Sequence, residues 1–240
     1  MKKWLALAAT AVLGASLLIS GCGSSTNNAS SSGSKEVLKV AANPVPHAEI
    51  LEQVKPILAK EGVDLQIVEF TDYIQPNMAL SSHEVDANFF ANVPYQNNYN
   101  KDHGTNFVSF APVHIEPLAI YSQKIKDLKD LPNGAKVAIP SDPTNSARAL
   151  LLLQSAGLVT LKDPTGLTNT PFDITSNPKN IQITELEAAQ IPRSIQDLDA
   201  AVINANYALP AGLNPTKDGL FVEKADSPYA NLLSVNPGDE

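Results

Sequence analysis

Val37-Leu38-Lys39-Val40-Ala41-Ala42 is a run of aliphatic and β-branched residues that reads as a strand. Pro44 and Pro46 end it, and Ile50, Leu51, Val54, Ile57 and Leu58 then recur at the spacing of one helical face until Gly62. Leu65-Gln66-Ile67-Val68-Glu69-Phe70 is a second strand. Strand, helix and strand within about thirty residues form a βαβ unit, which implies parallel pairing and a right-handed crossover. Pro56 inside the helix predicts a kink, because it has no N–H to donate.

The alternation continues downstream. A short helix is expected over 76–81, a short strand over 85–88 that ends in a loop, a helix over 94–101, and two strands within 107–121 split near Pro112. A helical turn at 128–131 leads to a strand over 136–140 and a helix over 145–156, capped by Asp142, Thr144 or Asn145 and stopped at Gly157. Further strands are expected at 181–184 and 200–204, with a helix between them over 185–195. No internal repeat is present. The fold class is α/β, arranged as two lobes.

Upstream, Met1-Lys2-Lys3 gives a positive start, and residues 4–19 are almost wholly apolar. That stretch is a secretory signal, too short for a comfortable membrane span. It ends in Ile19-Ser20-Gly21-Cys22, where the chain's single cysteine follows small residues in the manner of a lipobox. Cys22 is therefore expected to carry lipid and to become the mature N-terminus. Residues 1–21 are assigned to the signal and 22–35 to the lipidated cysteine and a tether. The tether, GSSTNNASSSGS, is too polar to fold and as a coil would reach roughly 20 Å.

Of seventeen Lys and Arg residues, Lys2 and Lys3 leave with the signal, so fifteen face twenty-five Asp and Glu, a net charge of −10. So acidic a body repels phosphate backbones and anionic lipid, which argues against nucleic-acid partners and leaves acyl chains as the membrane anchor. One cysteine, used for lipid, permits neither a disulfide nor a thiolate metal site.

Three constellations carry chemistry. At the junction Ser141-Asp142-Pro143-Thr144-Asn145-Ser146-Ala147-Arg148, a strand feeds a helix whose free N–H groups attract anions. Arg148 lies about a turn inside, where its fork suits a carboxylate, and Asn145 adds a short donor. Aromatic residues are only 6% of the chain, yet Tyr73, Phe89, Phe90 and Tyr95 fall within two loops, enough to wall an apolar slot suited to a thioether. Asn204, Asn206 and Asn231 lie at or near strand ends, where α/β folds bind ligands, and their amides can grip a zwitterion.

The four histidines are His47, His83, His103 and His114, with Glu49 and Glu116 beside two of them. No two share a helical face in an HExxH arrangement and no His-rich loop occurs, so neither a metal centre nor any other cofactor is expected. His114 enters the ligand-binding set as a packed partner rather than a base. No Gly-x-Ser-x-Gly elbow, P-loop or paired catalytic motif appears, so no enzyme is expected.

These residues resemble one family throughout the body. Pro46-His47-Ala48-Glu49, Phe70-Thr71-Asp72-Tyr73, Val85-Asp86-Ala87-Asn88, His114-Ile115-Glu116-Pro117, Asp142-Pro143-Thr144-Asn145, Asn177-Pro178-Lys179-Asn180 and Ser227-Pro228-Tyr229-Ala230-Asn231 are similar to the NlpA/MetQ lipoproteins, the methionine-binding proteins of ABC importers. The resemblance implies a two-lobed periplasmic-binding-protein-like fold of type II, with mixed, mostly parallel sheets and two hinge crossovers, placed at 120–122 and 204–207. Lobe 1 would comprise 36–120 plus 207–240, and lobe 2 121–206. It implies that Arg148 holds the ligand carboxylate, that Tyr73, Phe90 and Tyr95 wall the side-chain slot, and that Asn204 and Asn231 hold the ligand backbone. Asn92 stands where the family often has histidine, and keeps a donor there. The family usually continues into a C-terminal helix past this chain's Pro237-Gly238-Asp239-Glu240, so lobe 1 is expected to expose apolar surface. The implied protein is a monomer, lipid-anchored on the extracytoplasmic face of the cell membrane, that delivers L-methionine to a permease and its ATPase. A methionine-containing dipeptide, another amino acid, or a metal-binding importer component are the alternatives.

Overall fold

The structure is a computed structural model that describes residues 35–240; Cys22, the signal and most of the tether lie outside these residues. β1 (Glu36–Ala42), α1 (Glu49–Lys60) and β2 (Val63–Glu69) make the expected unit, with β1 and β2 parallel from Glu36↔Val63 to Ala42↔Glu69. α1 runs through Pro56 as one element. Gly62, at φ 89°, adopts the left-handed conformation that lets the chain turn from α1 into β2.

α2 (Gln75–Ser81), β3 (Ala87–Asn92), α3 (Val93–His103) and β4 (Val108–Ile115) follow. β3 begins two residues later than expected and runs to Asn92, buried along its whole length, so Phe89 and Phe90 belong to the sheet and not to a loop. Nor does Pro112 split β4. Ala111 at φ 50° and a register shift opposite Leu232 mark a bulge, and β4 is an edge strand, where a missing N–H leaves no ladder bond unmade.

β5 (Ala119–Tyr121), β6 (Lys136–Pro140) and α4 (Pro143–Ser155) come next, then a small antiparallel pair, β7 (Thr160–Leu161) with β8 (Ile174–Ser176). β9 (Gln182–Leu186) extends into the segment expected to be helical, because it pairs with β6 along its full length. The helix expected over 185–195 reduces to α5 (Ile191–Ser194), which starts with Pro192 in its first turn, flanked by single 3₁₀ turns. β10 (Ala200–Ile203), α6 (Ala205–Ala208), α7 (Pro215–Asp218), β11 (Phe221–Val222) and β12 (Ala230–Val235) complete the chain.

Two five-stranded sheets result, ordered β2-β1-β3-β12-β4 and β11-β5-β10-β6-β9. Each has two parallel and two antiparallel pairings. The chain passes between them at residues 116–118 and 223–229. Ile120 is instead mid-strand in β5, and the chain after Asn204 returns to the second sheet through β11, which pairs with β5. Leu118, Ile139, Leu150 and Leu153 pack α4 against the second sheet, and Val40, Leu65, Phe89 and Val235 form the centre of the first. Phe110, Val113 and Ile115 on β4 are exposed. No helix among the described residues is long and apolar enough to cross a membrane.

Candidate functional site

A cavity opens between the two sheets, lined by Tyr73, Phe90, Asn92, Tyr95, Asn145, Arg148, Asn204 and Asn231 together with Ala91, Glu116, Ala205 and Asn206. Eight of the nine ligand-binding candidates therefore line one cavity. The ninth, His114, stands behind Glu116 and does not reach the cavity.

Arg148 comes from α4. Asp142 caps that helix by accepting from Asn145 N at 2.9 Å, and Pro143 occupies the first turn, where no N–H is needed. Helical side chains lean toward their own N-terminus, so Arg148 reaches back to the two sheet-to-sheet passages. Its Nε donates to Glu223 Oε1 at 2.9 Å, and Nη2 donates to Glu223 Oε2 and to the main-chain carbonyl of Glu116 at 2.8 Å. The guanidinium lies 4.2 Å from the centre of the Tyr229 ring. The fork thus belongs to Glu223, while Nη1 has no hydrogen-bond partner among the described residues. Glu223 and Tyr229 fix the cation in place; Tyr229 stands in the run 227–231 that carries the family resemblance, whereas Glu223 has no local pattern that sets it apart in the sequence.

Beside it, Asn145 Nδ2 donates to both oxygens of Asp142 at 3.0 Å, and Asn145 Oδ1 accepts from Asn204 Nδ2 at 2.9 Å. Burial raises the Asp142 carboxyl, an effect those Asn145 bonds oppose. Asn204 Oδ1 is sealed from solvent and unpartnered, an acceptor in want of a donor.

On the opposite side, Tyr73, Phe90 and Tyr95 form a triangle with ring centroids 5.7–6.0 Å apart. Tyr95 O–H donates to the Tyr73 carbonyl at 2.7 Å. Tyr73 O–H donates to Asn206 Oδ1 at 2.6 Å, and Tyr207 O–H to the Thr71 carbonyl at 3.2 Å, both joining one sheet's loops to the other's. Burial pushes the Tyr73 and Tyr95 phenols well up, so both stay neutral.

β12, lying between β3 and β4, sets Asn231 opposite Asn92 on one side and His114 on the other. Asn92 Oδ1 caps α3 by accepting from Tyr95 N at 3.0 Å, which leaves its Nδ2 for the cavity. Glu116 follows β4. His114 Nε2 lies 2.8 Å from its Oε1, Asn231 Nδ2 donates to the same oxygen at 3.3 Å, and His47 Nε2 is 3.0 Å away at a bent angle. Burial alone would raise the Glu116 carboxyl, but the bonds and charges of His114 and His47 more than offset it and bring it down to about 2. A carboxylate has only lone pairs to offer, so His114 donates its Nε2–H to it, whereas His47 Nε2, although close, makes no hydrogen bond among the described residues.

His47, His114 and Glu116 place three ligand-type atoms within 4.8 Å of one another. In a metal centre each histidine would bind through Nε2 and pass its Nδ1–H to an acceptor. Here both Nδ1 atoms are buried without an acceptor, and of the two Nε2 atoms only that of His114 is hydrogen-bonded to Glu116.

A family profile described as NlpA lipoprotein matches residues 38–240, nearly the whole described body. The chain belongs to the NlpA lipoprotein family. It is 45% identical to a D-methionine-binding lipoprotein MetQ of Salmonella typhimurium, over 96% of this chain and 84% of that one. Against the solved structure of a nutrient binding protein from Burkholderia cenocepacia bound to methionine, it superimposes with a TM-score of 0.81 at 48% identity, covering 84% of this chain and 86% of the other. A structure of the methionine binding protein MetQ gives a TM-score of 0.80 at 44% identity, with 84% and 83% covered. NlpA family relatives also include a membrane lipoprotein of Treponema pallidum, 42% identical over 85% of this chain and 76% of that one.

Proposed function

We propose that this chain is the substrate-binding lipoprotein of an ABC importer, that it binds methionine between two lobes, one built on each sheet, and that it performs no covalent chemistry. The observation that carries this reading is the pairing, in one small cavity, of an anchored guanidinium with a free Nη1 and a triangle of aromatic rings. The cation takes the ligand carboxylate, and the rings take the thioether, whose sulfur is attracted to ring edges at about 5 Å.

Contacts from both lobes give the ligand a preference for the closed arrangement, and that preference supplies the free energy of closure. The passages at 116–118 and 223–229 are the proposed hinges, so Glu116 and Glu223 sit where closure is felt. The loaded, closed form is what a permease with its ATPase would accept. Lipid on Cys22 would hold the monomeric body at the extracytoplasmic face of the membrane. Cys22→Ala should then move the protein from the membrane to the soluble fraction on cell fractionation; continued sedimentation with membranes would defeat the anchor. Native mass spectrometry of freshly purified protein tests the cargo. The expected result is an adduct with the mass of methionine, and an adduct of dipeptide mass or of a metal ion would redirect the assignment.

A further inference from the structure

We propose that Glu116 receives the ammonium group of the ligand, and that His47 and His114 are positioning residues that turn one of its carboxylate oxygens into the cavity. This rests on the reading above that the ligand is an amino acid.

The two oxygens of Glu116 are treated differently. Oε1 meets two donors, His114 Nε2 at the end of β4 and Asn231 Nδ2 on β12, and His47 Nε2, from the segment after β1, lies 3.0 Å from it without forming a hydrogen bond. Oε2 accepts no hydrogen bond from the described residues, although Glu116 lines the cavity. Here one oxygen is anchored and the other is offered.

The histidines bear the cost of this arrangement. His47 is 1% exposed, packs edge-on against Phe89 with centroids 4.9 Å apart, and leaves both ring nitrogens sealed and without a hydrogen bond, Nε2 lying 3.0 Å from Glu116 Oε1. His114 likewise leaves Nδ1 without a partner while its Nε2 holds Oε1, and an unmatched buried polar atom is destabilising, so such a ring persists where its other end has a task. Charge accounting points the same way. Glu223 already balances Arg148, so a ligand carboxylate at Nη1 adds a negative charge near Glu116, and a ligand ammonium at Oε2 cancels it. The main-chain carbonyl of Glu116 accepts from Arg148 Nη2 at 2.8 Å, which ties the anionic group to the cationic one through one residue. The pair therefore measures the separation of ammonium and carboxylate on a single α-carbon. Asn204 Oδ1, sealed and unpartnered on the same cavity wall, is a second acceptor for that ammonium.

Two consequences distinguish this from a site that reads only carboxylate and thioether. N-acetylmethionine, or a dipeptide ending in methionine, would bring a neutral amide to Glu116. The hydroxy acid in which hydroxyl replaces the ammonium would bring no charge. Titration calorimetry of the full body with methionine, N-acetylmethionine and that hydroxy acid should show methionine favoured by roughly 100-fold or more, as expected when a buried charge is left unpaired. In Glu116→Gln the preference should narrow to about tenfold or less. His47→Gln and His114→Gln should narrow it part of the way, whereas a purely structural role would weaken all three ligands equally and leave the ratio intact. Wild-type protein that binds the hydroxy acid as tightly as methionine overturns the proposal without any variant having to fold, and so does an unchanged ratio in Glu116→Gln. Wild-type protein that binds none of the three overturns instead the amino-acid reading on which it rests.

Discussion

Arg148→Ala is expected to cost roughly 2–5 kcal/mol of methionine affinity, the largest binding loss of any single change in the site. The guanidinium is 4% exposed and Nη1 is its unengaged corner, so removal leaves a ligand carboxylate desolvated with no cation to meet it. Arg148→Lys should recover little. A lysine is one point charge, and it cannot both satisfy the Glu223 carboxylate and leave a donor for the ligand. Titration calorimetry checks both variants, and near-native affinity in Arg148→Ala removes this residue from the site.

The second large effect concerns stability. Glu223→Ala strips Arg148 of both charged bonds while its side chain stays buried. Breaking a buried pair by deleting one partner typically costs 3–5 kcal/mol. Glu223 retains 15% side-chain exposure, so about 3 kcal/mol is the better figure, or a melting temperature lower by roughly 6–12 °C for a body of this size. Methionine should restore part of that loss, because its carboxylate gives the stranded cation a partner. Differential scanning calorimetry with and without methionine reads both effects. A variant with native melting behaviour would mean that Tyr229 and the Glu116 carbonyl suffice to hold Arg148.

Much of this was legible in the residues because the informative signals are local. The βαβ unit at 36–69 follows from hydrophobic spacing alone. Arg148 and Asn145 sit on a helix start whose cap, proline and strand-to-helix junction are contiguous in the chain. Asn204 closes an apolar strand, which is where α/β folds expose their ligands. Asn231 was harder, because β12 draws its meaning from pairing with β3 and β4, whose partners lie over a hundred residues away. The aromatic slot was visible as an enrichment of rings, but that Phe90 stands on a buried strand rather than in a loop required the sheet.

The remainder is long-range by nature. Glu116 was visible only as a neighbour of His114. What distinguishes it is the convergence of positions 47, 114 and 231, and no window of sequence contains all three. Glu223 lies in an irregular passage with no periodicity, so its service to Arg148 could not be read. The helix expected over 185–195 failed because its first residues are claimed by strand pairing to β6, a tertiary demand that overrides local propensity. Pro112 misled in the opposite direction, since a proline at an edge-strand bulge obstructs nothing.

A crystal structure of the body with methionine bound tests the central claim most directly. The ligand should lie in the cavity between the sheets, its carboxylate within hydrogen-bond distance of Arg148 Nη1 and its sulfur among Tyr73, Phe90 and Tyr95. Methionine seated with its carboxylate away from Arg148, or lodged outside this cavity, would contradict it.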